Sequence, residues 1–271
     1  MITINGFTSK AQALRALHTA GHKFTSLLAA PESNPKIAKN GKLGILSAPL
    51  HLAPFDLSGF QVCPQASAGC AAACLHTAGN PAYMSGKDAS RKDRTQAYFK
   101  QRDAFMALLA FEILALRRKA KAMMMEPAVR LNATSDLPWE IRKINVDGSE
   151  VLLMDYFSDV QFYDYTKITK RALAHAGGRM PSNYHITFSK TEDNDASVAK
   201  VLEAGGNVAA VFALPAYKAT LAAGGMHGWG RNVTVIDGDE TDYRPMDPAG
   251  VIVALKAKGD AKGDTSGFTI R

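Results

Sequence analysis

Val160-Gln161-Phe162-Tyr163-Asp164, a helical stretch closing at Gly177-Gly178, then Tyr184-His185-Ile186-Thr187-Phe188-Ser189 reads as strand, helix, strand. Downstream the pattern repeats: a helix from about Ala196 to Ala204 ends at Gly205-Gly206, and Val208 to Leu214 is a further strand. Val233-Thr234-Val235-Ile236 and Val251 to Lys256 continue it. Upstream, Ala128-Val129-Arg130-Leu131-Asn132 and Leu43-Gly44-Ile45-Leu46-Ser47 have the same character. Apolar strands alternating with helices predict a parallel sheet covered by helices. The expectation is an α/β fold, a partial or complete (β/α) barrel with an N-terminal helical extension. The 271 residues read as one β/α domain: 1–42 N-terminal helix and loop, 43–258 barrel with a cysteine loop at 63–74, 259–271 a flexible polar tail.

Ahead of the barrel, Ser9 to Ala20 reads as a short helix with Ser9 as N-cap, closed by Gly21. Residues 31–42, rich in Pro, Asn, Lys and Gly, read as loop. The longest helical pattern runs from about Asp88 to Ala122, with Tyr98, Phe105, Leu109 and Leu116 on one stripe and Phe99, Met106 and Ile113 on the next. Its last turns carry Arg117, Arg118, Lys119 and Lys121, which complement the helix dipole. No interdomain linker stands out; residues 141–160 are the weakest point. A 46 % hydrophobic chain of this length can bury a sizeable core. The net charge of +7 permits contact with nucleic acid without demanding it, because the surplus is diffuse. No run approaches the roughly 18 apolar residues of a membrane span, and the N-terminus lacks a signal-peptide layout. Together with reduced cysteines these features predict a cytoplasmic protein with no membrane partner.

All three cysteines fall in Cys63-Pro64-Gln65-Ala66-Ser67-Ala68-Gly69-Cys70-Ala71-Ala72-Ala73-Cys74. Thiolates are the soft ligands that zinc and iron–sulfur clusters select, and small neighbours let such a loop curl. The spacing C-x6-C-x3-C matches neither the paired C-x2-C of zinc ribbons nor the usual ferredoxin run. Clustering beside Pro64 and Gly69 argues against three independent core fillers. A disulfide would leave one thiol over. Zinc with His76 or His51 as fourth ligand stays open, and an iron–sulfur cluster on Cys63, Cys70 and Cys74 leads.

Ligands of parallel β/α folds bind at the C-terminal strand ends. Those ends offer Asn132, Thr134, Ser135 and Asp136; Asp164, Tyr165, Thr166 and Lys167; Ser189, Lys190 and Thr191; Asp237 and Asp239. The cysteine loop follows the first strand and is expected at the same rim. Each polar residue there caps a helix more often than it binds a ligand. Asp237-Gly238-Asp239-Glu240 with Asp242 and Asp247 has the composition of a hard-cation loop without the EF-hand spacing. Gly224 to Gly230 reads as a flexible glycine loop; no Walker motif, G-x-G-x-x-G or G-x-S-x-G occurs. His175 reads as a charge complement at a helix C-terminus.

Cys63-Pro64-x-Ala66-Ser67-x-x-Cys70-x-x-x-Cys74-Leu75, Ala78-Gly79, Arg91, Arg94-Thr95 and Arg130-Leu131-Asn132-x-Thr134-Ser135-Asp136 resemble a phage family known as "gene product eighty-eight". The likeness continues to Asp237-Gly238-Asp239 and to Leu255-Lys256-Ala257-Lys258-Gly259, and it implies a phage origin, hence the cytoplasm of an infected host cell. More distantly, three cysteines after the first strand of a β/α barrel resemble the radical S-adenosylmethionine enzymes. That resemblance implies a radical-SAM-like barrel, a [4Fe-4S] cluster with its fourth iron open to a small molecule, and S-adenosylmethionine as second cofactor. Asn132, Ser135 and Asp136 would then bind the cofactor's amino acid end, and Ser189 and Lys190 its ribose or carboxylate. The family pattern is C-x3-C-x2-C with an aromatic before the last cysteine, where this chain has Ala73. A redox-sensing or electron-transfer module touching nucleic acid is the non-enzymatic alternative, and structural zinc the third.

Overall fold

The computed structural model describes residues 2–33, 35–74 and 85–271. It divides into two compact units: Met1–Pro64, Tyr83–Tyr163 and Pro181–Tyr184 form one, and Gln65–Ala82, Asp164–Met180 and His185–Arg271 the other.

In the first unit, α1 (Lys10–Thr19) starts as its sequence predicts, with Ser9 Oγ accepting the Gln12 N–H. The loop expected at 31–42 is instead wound into short helical turns, among them α2 (Pro35–Ala38). Strands β1 (Ile45–Pro49) and β2 (Glu126–Arg130) pair in parallel, with β1 buried throughout. The single long helix expected over 88–122 is two, α4 (Ser85–Lys100) and α5 (Arg102–Ala122), because Gln101 leaves helical geometry at φ −130°, ψ 51°. Both expected stripes of α5 are buried, and Ala104 through Ile113 is apolar on every side save for Glu112. Arg117 and Lys119 lie in exposed ion pairs with Asp159 and Glu32. Within 141–160 the chain makes a hairpin, β3 (Lys143–Val146) and β4 (Ser149–Leu152), turning on Asp147 and Gly148 at φ +50° and +89°. Asp-Gly is a strong short-range hairpin signal, and the loop reading of 141–160 passes over it. A short α6 (Leu153–Tyr156) leads on to β5 (Gln161–Thr166). Asn183 closes that turn, its Nδ2 donating to the carbonyls of Met154, Phe157 and Val160 at 2.9–3.0 Å.

The second unit carries α7 (Thr169–Ala176), β6 (Tyr184–Ser189), α8 (Asp195–Glu203), β7 (Val208–Phe212), α9 (Leu214–Ala223), β8 (Gly225–Gly228), β9 (Arg231–Asp237), β10 (Ile252–Lys256) and β11 (Thr269–Ile270). Phe188, Val208, Ala210, Phe212, Ile252 and Ala254 form one buried layer with Val198, Val201 and Leu202 of α8 and Tyr217 of α9. The glycine loop over 224–230 is a hairpin strand, β8, antiparallel to β9. The chain end, expected as a flexible tail, is bound instead: β11 pairs with β7 in parallel, and Thr269 Oγ1 donates to the Ala261 carbonyl.

Apart from the β3–β4 hairpin, the described strands form a mostly parallel nine-stranded sheet in the order β1-β2-β5-β6-β7-β10-β9-β8, with β11 on β7. The barrel expectation is therefore corrected: among the described residues the sheet is open. A β/α barrel needs each strand beside its predecessor until the last meets the first. Here β10 returns to lie between β7 and β9, and β8 ends the series by pairing antiparallel.

Candidate functional site

Cys63 belongs to the first unit, Cys70 and Cys74 to the second. None of the three forms a disulfide. In the first unit, Cys63 Sγ lies 3.9 Å from the Thr134 carbonyl, and its backbone N–H donates to Gln61 Oε1. Next to it, Val62 accepts the Asp136 N–H at 2.8 Å. The first cysteine is thus tied to the loop leaving the C-terminal end of β2.

In the second unit the segment after Pro64 folds into the five-residue α3 (Ala68–Ala72), with Ser67 as its N-cap accepting from the Cys70 N–H. Glu192, just past the C-terminal end of β6, grips this start from outside. Its carboxylate accepts the Ser67 hydroxyl at 2.7 Å and the Gly69 N–H at 2.6 Å. A Cβ on Gly69 would collide with that carboxylate and with Ser266 Oγ, so the position needs glycine. The other end of α3 is seated by Ala73, 5 % exposed, against Ala257 and Ala261 with Val211 and Phe268 alongside. The contact is made by small side chains on both sides. Cys70 is buried. The small residues of the loop therefore serve close packing at the strand ends, the rim where the sequence pattern placed the loop.

Glu192 carried no signal in the sequence, because only the fold brings it to a segment 123 residues earlier. Replacing it by alanine is expected to raise the alkylation rate of Cys70 about tenfold, since a hydrogen bond to a charged group contributes ~1.5–3 kcal/mol. Iodoacetamide labelling followed by peptide mass spectrometry measures this, and an unchanged rate would remove Glu192 as the anchor of the loop.

Among the described residues no three His, Cys, Asp or Glu side chains stand together in an arrangement that could hold a metal ion. His76 lies outside the described residues. The other sequence-derived candidates divide between the units. Asn132 is 3 % exposed and organises its own turn: Oδ1 accepts from Ser135 Oγ, the Leu137 N–H and Trp139 Nε1, and Nδ2 donates to the Leu137 carbonyl. Asp136 is buried beside them. Ser189 offers its carbonyl to Asn194 Nδ2. Lys190 is buried, with Nζ 3.0 Å from the Thr191 carbonyl and 3.6 Å from Asp195.

The acidic loop after β9 is also internally engaged: Asp237 accepts from the Tyr217 hydroxyl and the Asp239 N–H, and Asp239 pairs with Lys258 at 2.7 Å. His175 lies in the last turn of α7, where a charge complement requires a protonated ring. Burial pushes its pKa down, and it stands edge-on to His185 at 4.8 Å. Burial, then the nearby His175 and Arg244, push His185 down to about 3. Both rings are therefore neutral near pH 7. No described helix is long and apolar enough to cross a membrane.

A family model described as Gene product 88 matches residues 25–271. No curated protein and no solved structure matches the chain. None of these comparisons supports a likeness to radical S-adenosylmethionine enzymes.

Proposed function

The chain belongs to the Gene product 88 family, and from that premise we propose that it is a phage-type iron–sulfur protein with Cys63, Cys70 and Cys74 as the ligands of a [4Fe-4S] cluster. The observation that carries the reading is the anchoring of the cysteine segment. Glu192, Ser67 and Gly69 hold the start of α3 at the C-terminal end of β6, where parallel α/β sheets present ligands. Concentration of every thiol of the chain in twelve residues supports it from the sequence side. The described side chains are not preassembled around a metal, so loading would draw the thiolates together, as metal binding and local ordering are commonly coupled.

When bound, such a cluster supplies one-electron chemistry, and with only three thiolate ligands its fourth iron takes a small molecule or a non-cysteine group. The chain's own part is to hold the loop and exclude bulk from its base, through Ala73 on Ala257 and Ala261. S-adenosylmethionine as that small molecule, with Ser189 and Lys190 at its ribose or carboxylate, is the enzymatic form of the proposal. Redox sensing or electron transfer is the other form.

The test is anaerobic purification, reconstitution with iron and sulfide, metal analysis and a visible spectrum. About four irons per chain and a broad band near ~400 nm are expected, lost in Cys63→Ala, Cys70→Ala and Cys74→Ala alike. A colourless protein with about one zinc would replace the cluster by a Cys3His centre. Binding of neither metal would end the proposal. Dithionite and S-adenosylmethionine added to the loaded protein should release deoxyadenosine if the enzymatic form holds, and none if it does not.

A further inference from the structure

We propose that the corner of the first unit where α5 ends beside the turn before β1 binds duplex DNA, with Lys42, Arg118 and Lys121 on its phosphates and Met124 as an apolar wedge. The surface uses none of the cysteines, so its outcome is independent of the cluster. α5 ends in a left-handed turn, with Met124 at φ +54°. The Met124 N–H donates to the Lys121 carbonyl at 3.2 Å and the Met125 N–H to the Ala120 carbonyl at 2.9 Å. Glycine usually fills the left-handed position of such a turn, because a Cβ is disfavoured there. Here a methionine holds it, 95 % exposed. Met123 and Leu43 are exposed as well. The helical turn Lys39–Leu43 is tied to this end of α5. The Glu126 N–H donates to the Gly44 carbonyl at 2.9 Å, and Met125 Cε lies 3.9 Å from where a Gly41 Cβ would stand. Neither the turn nor the core gains from a methionine at 124, so its side chain is available to something outside the chain.

Folding also concentrates charge that is diffuse along the sequence. Segments 39–44 and 117–126 hold six basic residues and one acid, Glu126, in a chain whose net charge is +7. Arg117 and Lys119 pair with Asp159 and Glu32. Lys42, Arg118 and Lys121 are exposed and form no ion pair among the described residues. Arg118 and Lys121, three positions apart, share one side of α5. The helix dipole accounts for a cation in the last turn, not for Lys42, Arg118 and an exposed methionine beside them. The charge calls for a polyanion, and the tip for one with apolar gaps. A bilayer matches poorly: Ala104 to Ile113 of α5 are consumed in the core, which leaves no amphipathic face to lie in it. An amphipathic peptide needs an apolar groove, whereas the apolar group here is a projecting tip. Single strands are held by stacking on aromatic side chains, and neither segment has one. A duplex offers phosphates to the cations and base steps of the kind into which methionine wedges insert from the minor groove. Such contacts carry little sequence information.

A fluorescein-labelled mixed-sequence duplex, titrated with the full-length chain and followed by anisotropy, tests the surface. Three phosphate contacts give a log–log salt slope of about −2.7, so affinity should fall about fortyfold between roughly 50 and 200 mM salt. Lys42→Gln, Arg118→Gln and Lys121→Gln should each weaken binding about tenfold at the lower salt and bring the slope to about −1.8. Met124→Gly should weaken binding about tenfold at an unchanged slope, without lowering the thermal midpoint, because glycine suits the left-handed turn. Lys218→Gln, on α9 of the second unit, should bind as wild type. Tighter binding to the single strand, or binding to phosphatidylglycerol vesicles or an acidic peptide in place of the duplex, assigns the surface to another partner and overturns the proposal. So does the absence of salt-dependent duplex binding, or equal affinity in the wild type and the four variants of the surface.

Discussion

Glu112→Ala is expected to lower the unfolding free energy by about 2–6 kcal/mol, the cost of leaving two buried amides without their acceptor. Glu112 is the single charge on the fully packed part of α5 and is 6 % exposed. Its Oε2 accepts the N–H groups of Leu27 and Leu28 at 3.0 and 2.8 Å, and its Oε1 lies 2.9 Å from Lys10 Nζ. Alanine leaves two buried amides without an acceptor, at ~1–3 kcal/mol each. The lysine matters less, since its side chain is 45 % exposed and water can replace the carboxylate. Glu112→Gln retains one side-chain oxygen and should fall between. Urea unfolding reads the result as a lower midpoint at unchanged slope. A loss below about 1 kcal/mol for alanine would mean that the segment over Leu27 and Leu28 re-pairs with water, and that Glu112 does not tie it to α5.

The second large effect is at Asn132, where two roles give opposite results. If its contribution is the turn after β2, Asn132→Ala removes four hydrogen bonds inside a buried loop. The expected loss is then about 2–4 kcal/mol, because net values near 1 kcal/mol per bond are joined by the cost of stranded partners. Asn132→Asp keeps the three acceptor contacts but buries a carboxylate and sets one of its oxygens against the Leu137 carbonyl, so it should cost at least as much as alanine at neutral pH and less in acid. Ser135→Ala breaks one bond and should cost about 1 kcal/mol. Thermal unfolding ranks the three, and fluorescence of Trp139, whose Nε1 is one of the donors, reports the local change. Stability equal to wild type in Asn132→Ala, with altered ligand binding by the loaded protein, would reverse the assignment and make Asn132 a cofactor contact.

These residues show where sequence reading succeeds. Asn132, Ser135 and Asp136 were singled out because polar residues cluster after an apolar strand, and they do stand at that strand's end. Whether such an amide faces a ligand or its own backbone depends on what the next five residues do, and no spacing rule encodes that. Strand β6 is legible at its actual limits, since alternation and flanking turns bound it on both sides. The long helix reads as continuous because Gln101 breaks it without proline or glycine, the usual punctuation. Strand β8 is hidden for the opposite reason: its glycines signal a turn, while the pairing that makes it a strand is supplied by β9.

Local chemistry alone determined most of the apolar strands and the helices between them, the Ser9 cap, the parallel character of the sheet and the crowding of every thiol into one loop. Each follows from interactions among residues close in the chain, where pattern and geometry are nearly equivalent. Tertiary structure decided the rest. The insertion of β10 between β7 and β9 keeps the sheet open. Glu192 reaches the cysteine helix, and Gly44 meets Glu126 beside the exposed end of α5. Those contacts join residues tens to more than a hundred positions apart, and such pairings come into being only when packing of the whole chain brings the distant segments together.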